Sequence, residues 1–245
     1  MMIKSNNIKA LLAAFVFICF HMTSTAQFTT GGRIGVNFSN LRGSSVANSK
    51  MLVGYNIGPY FNFGMKDVIS SDFGEMLSLQ TELSVQSKGA TTDYLAKNAE
   101  GSFDTANVKQ SFTYVEVPLL AKFSFGDSRK GPKYFAEGGV FGAALFGLTV
   151  DGEKKYDHDG DSNTDRRNFR DDYSGFDYGI AVGGGISIPF GGRRSPWEFY
   201  GNVRYTLGLA NIAETKDETP EEIQNYLQEV KTSTLSVLAG LLYKF

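Results

Sequence analysis

The chain has one cysteine, one tryptophan and two histidines in 245 residues. A lone cysteine can close no disulfide within the chain and supplies no thiolate metal cluster. Two histidines leave little for acid–base catalysis, in which imidazole is the commonest group. Charge of one sign is missing too: 24 Lys and Arg stand against 26 Asp and Glu, which excludes a basic footprint for nucleic acid. After residue 26 no apolar run reaches the ~20 residues of a membrane-spanning helix. Any passage through a bilayer would therefore have to be made by a closed barrel. What the chain does hold in quantity is 28 Gly, 20 Phe and 12 Tyr.

The one long apolar run stands at the start. Lys4 and Lys9 form a basic region, ALLAAFVFICF (Ala10 to Phe20) an apolar one, and Ser24 with Ala26 the small residues of a cleavage site. The spacing predicts a signal peptide over 1–26, cut after Ala26, with residues 27–245 as one exported domain. Cys19 follows Phe17 and Ile18, whereas a lipoprotein signal wants a small residue there, so cleavage is expected to remove the cysteine unlipidated. Loss of Lys4 and Lys9 takes the formal charge from -2 to -4 (−2 − 2) and leaves His158 as the exported domain's histidine.

Within 27–245 the apolar period is two, the signature of strands. Eight alternating segments are expected: Gly31–Leu41, Leu52–Met65, Met76–Lys88, Ser111–Phe125, Lys133–Val150, Tyr173–Phe190, Trp197–Ile212 and Thr232–Phe245. In the second, Val53, Tyr55, Ile57, Pro59, Phe61 and Phe63 share one face, opposite Gly54, Asn56, Gly58, Asn62 and Gly64. In the sixth, Phe176, Tyr178, Ile180, Val182, Ile186 and Ile188 oppose Asp177, Gly179, Gly183, Gly185 and Ser187. Most segments exceed the usual 5–6 residues of a globular strand and match a tilted membrane-spanning one. The connections alternate in length. Arg42–Met51, Gly89–Gln110, Asp151–Asp172 and Ala213–Lys231 are long and polar, while Lys66–Glu75, Gly126–Pro132 and Gly191–Pro196 are short. Long external loops and short periplasmic turns are the plan of outer-membrane barrels.

Periodicity alone leaves open which face points out, since a soluble lipocalin-type barrel would turn its apolar face inward. The glycines and charges of the mixed face suit a crowded interior. Aromatics also gather at the short-turn end of the apolar face: Phe123, Phe125, Tyr134, Phe190, Trp197, Phe199, Tyr243 and Phe245. Such a girdle belongs at a lipid interface. The expected fold is all-β: an eight-stranded antiparallel up-and-down transmembrane β-barrel with a short helix in its last external loop. In that loop, TPEEIQNYLQEV offers Thr219 as N-cap, Pro220 at the first helical position, Glu222 for a capping box, and Ile223, Tyr226, Leu227 and Val230 on one face. The final strand TSTLSVLAGLLYKF ends its alternation on Tyr243 and Phe245, and resembles the assembly signal of outer-membrane barrels.

GGRIGVNFSNL, LQTELSVQSKGA, YVEVPLLAKFSF, FAEGGVFGAAL, FDYGIAVGGGI and GNVRYTLGLANI, in that order, resemble the small outer-membrane barrels of Bacteroidota labelled PorT-family or outer-membrane beta-barrel domain proteins. The resemblance spans nearly all of 27–245 except the long loops. It implies the barrel fold and the outer membrane, and it makes an accessory part in a secretion machinery one functional alternative.

Pointing the mixed face inward places Arg33, Glu82, Lys88, Glu116, Lys122, Lys133, Glu137, Asp177, Glu198, Arg204 and Lys244 in the interior, six basic and five acidic. An eight-stranded interior is just wide enough for side chains to fill, so these charges are expected to pair and plug it. A narrow pore and a soluble periplasmic ligand binder are the rivals. No enzyme is expected, because His158 sits in a polar loop without strand context. The same loop, DHDGDSNTD, sets Asp157, Asp159, Asp161, Asn163 and Asp165 at alternating positions as candidate calcium ligands. It departs from an EF-hand, with its glycine at Gly160 and Asn168 in place of the closing Glu, and Arg166, Arg167 and Arg170 could neutralise the acids instead. No other cofactor is expected. The expected partners are outer-membrane lipid, the barrel-assembly machinery during biogenesis and an unidentified protein at the external loops, with the barrel itself a monomer.

Overall fold

A computed structural model describes residues 28–43, 46, 48–66, 68–69, 72–97, 103–126, 131–157, 166–191, 195–213 and 229–245. The signal segment 1–26, the acidic positions 158–165 and most of the helical stretch of the last loop, 214–228, lie outside the described residues.

The strands are β1 (Phe28–Arg42), β2 (Lys50–Gly64), β3 (Leu77–Glu82), β4 (Ser84–Lys97), β5 (Phe103–Phe125), β6 (Lys133–Val150), β7 (Lys155–Asp157), β8 (Arg166–Asn168), β9 (Phe176–Pro189), β10 (Trp197–Gly208) and β11 (Lys231–Lys244). The small β7–β8 pair and a 3-10 turn, Phe169–Asp172, belong to the third external connection. The other nine strands form one antiparallel sheet, and β1 pairs with both β11 and β2, which closes it. Around the ring the order is β1, β2, β3 with β4, β5, β6, β9, β10 and β11. β3 and β4 are two halves of one wall position, so the barrel has eight positions in up-and-down order.

The split between β3 and β4 has a local cause. Tyr60 stands opposite Glu82 and Ile57 opposite Val85, so the register runs on unshifted and sets Pro59 against Leu83. On the other side, Leu77 against Phe123 and Ser84 against Glu116 set Pro118 against Glu82. Each proline lacks the N–H that the ladder needs there. The third expected segment is thus one strand interrupted by its neighbours.

Two connections differ from expectation. The stretch 89–110, expected as a polar loop, is mostly strand. β4 and β5 stay paired to Lys97 opposite Phe103, whereas β2 leaves β4 at Thr91 and β6 leaves β5 at Gln110. A two-stranded ribbon therefore rises past the rim. Its sequence holds Thr91, Thr92, Tyr94, Phe103, Thr105 and Val108, all good strand formers, but without one apolar face to betray them. The short turn 66–75 also carries a helix, α1 (Asp72–Met76). In the seventh wall position the strand stops at Gly208, short of the expected Ile212.

Sidedness is unambiguous. Ile34, Val53, Ile57, Val140, Tyr178, Val182, Val203 and Val237 are exposed, while Arg33, Asn37, Asn56, Glu82, Asp177, Arg204 and Ser236 are buried. An apolar exterior around a polar interior inverts the soluble pattern, and a lipocalin-type barrel is thereby overturned. At the short-turn end the aromatics interlock. Phe190 stacks on Phe199 with centroids 4.2 Å apart, Trp197 meets Tyr243 at 5.0 Å, and Phe245 touches Tyr243 at 4.9 Å and Phe28 at 5.6 Å. Phe73 of α1 joins them against Phe123 at 5.6 Å. Phe63, expected outward like its neighbours, is buried because Phe28 packs on it, centroids 5.1 Å apart.

Candidate functional site

Among the described residues, charged side chains converge in the interior. Its middle is built on Glu82, at the break between β3 and β4. Arg204 of β10 donates from both terminal nitrogens, Nη1 to Glu82 Oε2 at 2.7 Å and Nη2 to Glu82 Oε1 at 2.8 Å. β10 and β3 are four positions apart whichever way the ring is counted, so this forked pair spans the full diameter of the lumen. Arg33 of β1 pairs with the same carboxylate, and Gln80 Nε2 donates to it at 2.8 Å. Arg204 also donates Nε to Glu137 Oε1 of β6 at 2.7 Å, where Asn202 Nδ2 adds a bond of 3.1 Å. Two arginines and two carboxylates thus neutralise one another, as charges out of water must, with the fork–fork geometry that strengthens such pairs.

Above this layer Asn37 and Asn56 both donate to Gln86 Oε1, at 2.9 and 3.0 Å, and Ser236 donates to Asn37 Oδ1 at 2.8 Å. Lys88 pairs with Glu116 at 2.6 Å and lies 4.5 Å from the Phe141 ring centroid, and Thr232 donates to Asp177 at 2.7 Å. Toward the loop end the interior becomes apolar. Leu41, Phe112, Leu145, Leu148, Tyr173 and Ile212 pack there with Phe141. A bulge helps: Thr113 pairs with Gly147 and Tyr114 with Leu145, skipping Phe146. The extra residue lets Leu145 and Leu148 both turn inward while Phe146 points out.

Toward the short-turn end a second apolar layer, Tyr60, Phe135, Tyr200 and Leu242, lies below the charges. Lys122 sits within it, donating to Tyr60 Oη at 2.9 Å, with its ammonium 4.0 Å from the Phe135 centroid.

Of the eleven expected interior charges, Arg33, Glu82, Lys88, Glu116, Lys122, Glu137, Asp177 and Arg204 are buried. Lys133, Glu198 and Lys244 are half-buried and line the mouth at the short-turn end, because strand positions near a barrel's end meet water. The structure brings Arg33, Glu82, Glu137 and Arg204 into one network and leaves Lys88 with Glu116 as a separate pair. Sequence reasoning passed over Asn37, Gln86, Tyr60, Phe135 and Tyr200. Parity was the available signal, since Tyr60 alternates with Asn56 and Asn62, and Phe135 with Lys133 and Glu137. Of the candidate calcium ligands, Asp159, Asp161, Asn163 and Asp165 lie outside the described residues, and Asp157 is seen as the last residue of β7.

A family model described as "Outer membrane protein beta-barrel domain" matches residues 23–214. No curated protein matches significantly. Among solved structures, Ail, the attachment invasion locus protein of Yersinia pestis, in complex with the heparin analogue sucrose octasulfate, aligns at 10% identity with a TM-score of 0.40, covering 89% of this chain and 99% of that one. The N-terminal β-barrel domain of Pseudomonas aeruginosa OprF aligns at 8% identity with a TM-score of 0.32, covering 90% of this chain and 100% of that one.

Proposed function

Since the chain belongs to the outer membrane protein beta-barrel domain family and resides in the outer membrane, we propose that it is a closed, non-conducting barrel that works through its external loops. One observation carries this reading: the Arg204–Glu82 fork crosses the whole lumen, with apolar layers above and below it. Ions would have to break two charge-assisted hydrogen bonds and displace packed rings to pass. Such an interior holds the wall rigid and leaves the long loops and the projecting β4–β5 ribbon as the surfaces free to act. A non-enzymatic role accords with the same geometry, because the paired titratable groups of the middle of the lumen, Arg33, Glu82, Glu137 and Arg204, are sealed from substrate. Service to a secretion machinery, which the PorT resemblance implies, would use the same external surface.

Planar-bilayer recording on the refolded barrel is the direct test. Current at the noise level is expected, and openings are expected once the plug is removed by Glu82→Ala with Arg204→Ala. Steady, large single-channel currents from the unmodified protein would sink the proposal. Loop replacement complements it: partners recovered with the intact protein after mild detergent extraction should be lost when the external loops are shortened.

A further inference from the structure

At the short-turn end, away from the external loops, the lumen opens into a vestibule of about 80 Å³. Tyr60 and Phe135 of the lower apolar layer form its roof, and Lys122 comes through that roof. The Lys122 side chain is 6% exposed, and among the described residues no carboxylate lies within ion-pair distance of its ammonium. Instead the ammonium donates to Tyr60 Oη at 2.9 Å and faces the rings of Phe135, Tyr200 and Tyr60, at 4.0, 5.1 and 5.4 Å from their centroids. Ring faces stabilise a cation without cancelling its charge. An ammonium also has three N–H donors, of which the phenol takes one. The Lys122 ammonium therefore has no direct ion-pair partner among the described residues at the top of a cavity open to the periplasmic side.

Further charges stand around the vestibule. Lys133 of β6 and Lys244 of β11 line the mouth. Its acids among the described residues are Glu75 and Glu198. Glu198 accepts the Ser187 hydroxyl at 2.5 Å, and Glu75 is held by Lys66 at 2.6 Å, a hydrogen bond that also keeps the Glu75 carboxyl below its ordinary pKa. Lys122 and Lys244 thus bring two ammonium groups to a vestibule in which Glu198 keeps its negative charge and Glu75 is cancelled by Lys66. A vestibule of this size holds several waters and admits a compact charged group.

We propose that this vestibule binds a compact oxyanion, a phosphate or carboxylate group, with Lys122 as the deep contact and Lys244 as the rim contact. The group could arrive as a free ion or as the terminus of a peptide. The full barrel, refolded in a neutral-headgroup detergent, would be titrated with inorganic phosphate against chloride at matched ionic strength, and the backbone amides of Ser78, Ser124 and Ser187 followed by NMR. Saturable shifts are expected, with affinity falling about tenfold or more in Lys122→Met and by a smaller factor in Lys244→Gln. A parallel titration with acetyl-dialanine and with its C-terminal amide separates the sources. Saturation by the acid but not the amide identifies a peptide carboxylate, and saturation by phosphate alone identifies a free oxyanion. Linear, unsaturating shifts with every probe, or equal affinities in the unmodified chain and both variants, would overturn the site. If Lys122→Met does not refold, Lys244→Gln at the half-buried rim decides. The external role is independent of this site, and bilayer recording would be unaffected by its failure.

Discussion

Glu82 answers two arginines at once, and its removal is the most costly single change the lumen offers. Glu82→Gln leaves Arg204 with Glu137 as its remaining carboxylate and Arg33 buried with no ion-pair partner among the described residues. Breaking a buried pair in this way costs roughly 3–5 kcal/mol. Denaturant unfolding of the refolded barrel should show that loss, and a change below about 1 kcal/mol would mean the network contributes little. Arg204→Lys should recover only part of it, because a lysine cannot reproduce the fork across the lumen. At the short-turn end Phe245 poses a different question. It is 72% exposed, and its backbone N–H donates to Phe28 O at 2.9 Å. A fully buried side chain of this kind is worth ~1.5–3 kcal/mol, so packing alone should make Phe245→Ala mild. If Tyr243 and Phe245 are read by an assembly machinery, the variant should lose outer-membrane abundance in cells while keeping its refolding yield in micelles. Equal, small losses in the two assays would leave them a packing role only.

Among the elements, β9 shows most clearly why its glycines are there. Its inward face carries Gly179, Gly183 and Gly185 beside β6, whose aromatic rings need the space. A Cβ on Gly185 would lie 2.0 Å from the Gly201 carbonyl oxygen and 2.6 Å from Phe135 Cζ, and one on Gly179 would lie 2.8 Å from Phe141 Cε1. Gly185→Ala should therefore push Phe135 out of the lower apolar layer and strain the β9–β10 ladder, at the ~1–3 kcal/mol typical of overpacking. Gly142 of β6 faces outward with no atom within 4 Å of an added Cβ, and Gly142→Ala is the matched control expected to be neutral. Equal unfolding midpoints for the two variants would refute this account of β9. The β3–β4 junction carries a related lesson, since its break originates in prolines on the neighbouring strands and not in its own residues.

The whole molecule is a ring closed by β1 and β11, with its apolar face outward. The folded barrel should stay with the outer-membrane fraction, and on unheated detergent gels it should migrate apart from the heat-unfolded chain. Recovery as a soluble monomer without detergent would contradict the exposed apolar belt. The ring, its strand number and its sidedness were legible in the amino-acid order, because a two-residue period sustained over long segments has few other solutions. The girdle was legible for the same reason, apart from Phe73 on the unexpected α1. The charges of the mixed face could be named from parity, but not their partners. Arg204 and Glu82 are 122 positions apart and meet only because closure sets β10 diametrically across from β3. The apolar layers above and below them, and the cage of rings around Lys122, depend in the same way on which strands stand opposite. Alternation along a strand decides which way a side chain points; curvature and closure of the sheet decide what it meets.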